Sequence, residues 1–240
     1  ILAARRGDFS RAIELHTRAI DMLEPVADQG YRVLSCVRLA AARHAAGEPG
    51  DHVTAIEMKH LPELHEQGGR LWPIAYTLTE LGAMLRDEGR LHHAHRILDE
   101  ALEVRRQTGG LHGVAEARLL FGTVLHALGG EVQAREELFR ALTTARDFGE
   151  IPVAIDCIEA IATLTLAPAR PELAATLLAA AGHRREILGA RRAPRYDTAY
   201  ERSRASLSSA MGDDAFARAW RSGATTSVND AITLALHSHS

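Results

Sequence analysis

Residues 72–107 read WPIAYTLTELGAMLRDEGRLHHAHRILDEALEVRRQ, and the fold class follows from this stretch. Two apolar-periodic runs, 72–88 and 91–107, flank the pair Gly89-Arg90. In the second run Ala94, Leu98, Ala101 and Leu102 stand at offsets of 0, 4, 7 and 8, which lie on one face of an α-helix. A glycine just past a helix end accepts the left-handed conformation that closes the helix, so the pair marks the corner of a helical hairpin.

The same pattern recurs along the chain. Ala12, Ala94, Ala134 and Ala174 are spaced by 82, 40 and 40 residues, and Ala215 falls 41 beyond the last. Seven positions after the first four come Ala19, Ala101, Ala141 and Ala181. Turns before three of them carry glycine: Gly7-Asp8, Gly89-Arg90 and Gly129-Gly130. The preceding helices align on Ala42, Gly82, Gly122 and Ala162, each 40 apart and each small enough to let a paired helix approach. The spacing predicts hairpins of 30–46 with 51–67, 72–88 with 91–107, 112–128 with 131–148, and 151–166 with 171–188. A half-repeat precedes them at 1–28, and a divergent unit follows at 195–240. Pro62 falls inside a second helix, where it removes a backbone hydrogen bond, and it should kink or shorten that helix.

Composition agrees with an all-α chain. Of 240 residues 46% are hydrophobic, but only 5% are aromatic, which suits helices packed through Ala and Leu better than a sheet. The net charge of −3 supplies no field that would recruit nucleic acid or an anionic membrane. Cys36 and Cys157 form no C-x-x-C, so two reduced, buried thiols in a cytoplasmic protein are expected. No apolar run reaches transmembrane length.

Helical hairpins in tandem resemble tetratricopeptide repeats, with a period longer than the usual length of about 34. The resemblance implies a right-handed solenoid of helical hairpins over 1–194, closed by capping helices of the same domain at 195–240. The longer period resembles the C-terminal arrays of STAND-type regulators (signal-transduction ATPases with numerous domains), including the LuxR-type and AfsR-type activators of actinobacteria. The end of the chain carries the most specific likeness. Ala175–Ala190, ATLLAAAGHRREILGA, looks like the family's penultimate helix. Tyr200-Glu201-Arg202, Leu207, Gly212, Ala215-Phe216, Ala219-Trp220, Gly223, Ser227 and the closing AITLAL of Ala231–Leu236 resemble its final helices. Met211 stands where Leu is usual, and Arg192 where Pro is common. The resemblance implies a position downstream of an ATPase module of the same polypeptide. The ATP-binding loop itself, G-x-x-x-x-G-K followed by Ser or Thr, is absent from these 240 residues.

Several residue groups invite a chemical reading. His92, His93 and His95 offer one i,i+3 pair but no further ligand at suitable spacing, so they read as solvated corner residues rather than a metal site. Arg184, Arg185, Arg191, Arg192 and Arg195 have no interleaved aromatics and read as a solvated face with local ion pairs. Phe216 and Trp220, four apart, read as an apolar plug over the open end of the array. The first helices carry the binding candidates. Relative to the small residue, Arg38 and Arg118 stand four earlier, and Cys36, Tyr76, Glu116 and Asp156 six earlier. Trp72 and His112 stand ten earlier, and Glu80 two.

In a tetratricopeptide array such positions line the concave surface, where an aromatic among alternating charges holds a peptide or small polar ligand. Arg38, Trp72, Tyr76, Glu80, Arg118 and Asp156 are the expected contact residues. No nucleophile elbow, H-E-x-x-H or phosphate loop is present, so the sequence reads as a binding segment and not an enzyme, with no cofactor. The expected partner is a protein or a small-molecule inducer, with no direct contact to nucleic acid or membrane. A free-standing adaptor that docks a partner peptide is the alternative reading.

Overall fold

The computed structural model describes residues 3, 7–25, 30–66, 71–108, 113–190, 192 and 194–238. Twelve helices and no strand occur among them. These are α1 Phe9–Leu23, α2 Gly30–Ala46, α3 52–66, α4 Leu71–Asp87, α5 Leu91–Thr108 and α6 Val114–Ala127. Then follow α7 Glu131–Asp147, α8 151–166, α9 Pro171–Ile187, α10 Pro194–Met211, α11 Asp213–Thr225 and α12 Val228–His237. The chain forms two compact units, 1–124 and 125–240, with the boundary inside α6.

In the first unit α1 packs on α2, α2 on α3 and α4, and α4 on α5. The core gathers Val33, Leu64, Ile74, Leu78 and Ala101, with Leu61, Ile97 and Val104 around it. The α4–α5 hairpin closes as its sequence requires. Gly89 takes φ +74°, its N–H donates to Arg86 O, and Arg90 N–H donates to Leu85 O, both at 2.9 Å. Ala94, Leu98 and Ala101 are fully buried, and a Cβ on Gly82 would stand 2.5 Å from Leu98 Cγ. Only a residue without a side chain admits Leu98 that closely. Asp8 and Asp51 cap α1 and α3 by accepting from Arg11 N and Thr54 N at 3.0 Å.

Pro62 acts differently from expectation. Helix α3 runs on to Glu66, and the disturbance is a π turn at Ile56–His60 just ahead of the proline. Leu61 N–H reaches back to Ile56 O, five residues, so a regular segment restarts at Leu61 with Pro62 at its second position, where a missing N–H leaves no gap in the ladder. A second π turn, Ile161–Leu166, ends α8, and Ala167 N–H donates to Ala162 O across it.

In the second unit α8 packs on α7 and α9, and α9 buries Ala174, Ala175, Leu177, Leu178 and the run Ala179–Gly182. The terminal residues form three helices. α11 lies against α9, and α12 packs on α7, α8 and α9, so the chain's last helix returns along helices laid down earlier. Arg135 donates to Ser238 O at 3.3 Å there. Ser227 caps α12 by accepting from Asp230 N at 3.1 Å. Ala231, Ile232 and Ala235 of the closing motif are buried. The fifth alanine of the series, Ala215, is only half-buried, because α11 meets α9 through Gly223 instead.

Candidate binding face

Three of the six expected contact residues come together in the first unit. The Arg38 guanidinium of α2 lies over the Tyr76 ring of α4, 4.8 Å from its centroid. Glu80 stands one turn along α4, where its carboxylate acts on the Tyr76 hydroxyl. Burial pushes that hydroxyl well above the ordinary tyrosine range, Glu80 and Glu116 add to the shift, and Arg38 opposes it. A tyrosine held neutral keeps both its proton for Glu80 and its ring face for the cation. Arg38 has no ion-pair partner among the described residues, and its Nε is buried without a hydrogen-bond acceptor.

Trp72 stands one turn before Tyr76 on α4 and is 44% exposed. It meets Tyr31 of α2, 48% exposed, with ring centroids 6.3 Å apart and planes tilted by 52°. The strip therefore runs from an exposed aromatic pair to a cation over a buried phenol and on to carboxylates. Tyr31 escaped the repeat alignment because it stands eleven residues before Ala42, whereas Trp72 stands ten before Gly82. Arg118, on the α6 segment of the same unit, is half-buried. Beyond Glu80, polar contacts continue: Arg86 donates to Thr123 at 3.3 Å and Asp87 lies 3.9 Å from His44 of α2. Cys36, in Tyr76's repeat position, is half-buried, and burial raises its thiol pKa.

Asp156, the sixth residue, belongs to the second unit and is engaged there. It pairs with Arg185 of α9, which also reaches Glu159 at 3.2 Å. Glu159 in turn holds Arg192, whose guanidinium lies 3.7 Å from the Tyr200 ring centroid. The arginine strip is thus split rather than uniformly solvated. Arg185 and Arg192 are 13% exposed and tie α8 to α9 and to the residues before α10, because α8 offers two carboxylates one turn apart. Arg191 and the Arg195 side chain, like His112 and His239, lie outside the described residues.

The histidines diverge. His93 pairs with Glu57 at 3.1 Å, His95 packs on the Phe121 ring at 4.9 Å, and His92 is exposed. No group of three potential metal ligands occurs among the described residues. One buried cation was missed in sequence. Arg105 of α5 donates to Thr79 Oγ1 at 3.0 Å, and a Cβ on Gly113 would stand 2.7 Å from its Nη1. Phe216 and Trp220 stack at 5.1 Å but are half-buried, with Arg204 of α10 over Trp220 at 4.9 Å.

Residues 74–110, the α4–α5 hairpin, match the tetratricopeptide repeat family. The fold is similar to the crystal structure of BtubC (BKLC) from P. vanneervenii, with a TM-score of 0.61 at 16% identity over 100% of this chain and 92% of that one. No curated protein matches the sequence. The chain is a tetratricopeptide-like helical repeat, a fold of the protein-interaction class. No helix among the described residues is long and apolar enough to cross a membrane.

Proposed function

We propose that this chain is the sensory repeat domain of a STAND-type regulator. Its first-helix face takes a protein segment or small-molecule inducer, and binding shifts an ATPase module of the same polypeptide between states. The observation that carries the binding half is Arg38 over Tyr76 beside the exposed Tyr31–Trp72 pair. Two helices bring together an aromatic platform, a cation with no ion-pair partner among the described residues and a buried phenol beside a carboxylate. A ligand with an apolar group and an anionic group about one helical turn apart fits that strip. The regulator half rests on the resemblance of the closing motif, Tyr200 through Leu236. A ligand can act as an inducer only through different affinities for the two states.

Peptides displayed on phage, selected on the purified chain and counter-selected on Arg38→Glu, test the face. Enriched peptides that lose affinity with Arg38→Glu and Trp72→Ala support it, and peptides indifferent to both overturn it. Expression of the uninterrupted reading frame, assayed for ATP binding, tests the context. A frame that starts within a few dozen codons of Ile1 and binds no nucleotide marks a free-standing adaptor instead.

A further inference from the structure

Helix α10 is held unlike its neighbours. Among its described side chains, residues 197–211, Leu207 alone is buried, whereas α9, of similar length, buries eight residues. A helix of this length draws its stability from an apolar face packed on a core, and residues 197–211 of α10 supply almost none. What fastens it is a set of polar and cation–ring contacts. Arg192, just before it, lies over Tyr200 and pairs with Glu159 of α8. Arg192 also approaches Asp197 of α10 at 3.7 Å. The Tyr200 hydroxyl sits in a notch of α9, 2.5 Å from where a Cβ on Gly182 would be. Arg204 lies over Trp220 of α11, 4.9 Å from the ring centroid. Burial raises the Tyr200 pKa, as expected of a phenol seated against another helix.

We propose that α10 is a latch, a helix clasped by arginines that lifts as one piece while α8, α9, α11 and α12 stay folded. Lifting empties the Gly182 notch and takes Arg204 off the Trp220 ring. The asymmetry of fastening is the reason. α11 is wedged onto the α9 backbone at Gly223, and α12 buries Ala231, Ile232 and Ala235, so both leave only when the unit unfolds. Of the α10 contacts, Arg204 over Trp220 and Asp197 beside Arg192 are open to water and salt, with Arg204 46% and Asp197 57% exposed. A segment with few buried apolar contacts opens at lower free energy than the unit around it.

Native-state hydrogen exchange on the full 240-residue chain tests the latch. The α10 amides should exchange about tenfold or more faster than those of α9 and α11, and Arg192→Gln should speed α10 further while leaving α9 and α11 unchanged. Raising the salt from 0.05 M to about 1 M should act in the same direction. In a Trp72→Phe background, quenching of Trp220 by acrylamide should rise with Arg192→Gln. Equal exchange of α10 and α9, or acceleration of all four helices together by Arg192→Gln, would show that α10 is an integral part of the unit and overturn the proposal. The wild-type measurement requires no variant, so a misfolded Arg192→Gln protein does not shield the idea.

Discussion

Gly223 and Thr176 touch through their backbones: a Cβ placed on Gly223 would stand 2.1 Å from the Thr176 carbonyl oxygen and 2.7 Å from Ala179 Cβ. The Thr176 hydroxyl bonds Ala219 O across the same crossing at 3.3 Å. Helices α9 and α11 thus meet at a point where neither has a side chain to move aside. Gly223→Ala should therefore destabilise the second unit by about 1–3 kcal/mol, the range for overpacking a tight contact. A urea midpoint measured by circular dichroism reads the loss, and an unchanged midpoint would refute so close a crossing. Gly82→Ala is a milder test, since the obstacle there is the Leu98 side chain rather than backbone.

Thr77 predicts a change in the opposite direction. It is completely buried in α4, and its Oγ1 has no hydrogen-bond partner. A buried hydroxyl without a partner carries an uncompensated desolvation cost. Thr77→Val keeps the branched shape and removes that group, so it should stabilise the first unit by about 1 kcal/mol. A lowered urea midpoint would mean that the hydroxyl is satisfied after all, for instance by water.

Trp220 should matter less than a core tryptophan. It is half-buried under Arg204, and the contact between α11 and α9 runs through Gly223. Trp220→Ala is expected to cost less than the about 3–5 kcal/mol of a fully buried aromatic. A cost in that full range would show that the ring plugs the core of the unit.

The repeat was legible because its signals are local and periodic. Ala94, Leu98 and Ala101 recur at fixed offsets, small residues recur 40 apart, and the corners before Ala12, Ala94 and Ala134 carry a glycine. Gly223 and Ser227 of the closing motif likewise have packing and capping roles that their residue types announce. The ion network was not legible. Arg185 and Arg192 reach Glu159 across 26 and 33 residues, and no short-range pattern distinguishes such arginines from solvated ones. The π turn at Ile56–His60 shifts the helical register by one residue, which a fixed 3.6-residue period cannot represent. In the binding strip, Tyr76 and Arg38 were found by equivalence between repeats. Tyr31 was not, because it packs on Trp72 from a position one residue out of step.

The state of Tyr76 links the stability of the first unit to the strip it carries. Burial, with Glu80 and Glu116 adding, holds its hydroxyl pKa well above the ordinary value. For an acid whose folded pKa is raised, the unfolded chain gives up its proton first. Stability is then untouched while both forms are neutral and falls as pH rises past about 10, the unfolded value. Tyr76 should consequently ionise later in an alkaline titration than the exposed Tyr31, so Tyr76→Phe should lower the tyrosinate absorbance of the folded protein only in the last part of that titration. Above about pH 10 the variant should lose stability less steeply than the wild type. A loss of absorbance by Tyr76→Phe already in the first part of the titration, near about pH 10, would show that Tyr76 ionises freely. The Arg38 cation would then face a phenolate rather than a neutral ring, and the strip would lose its unpaired positive charge.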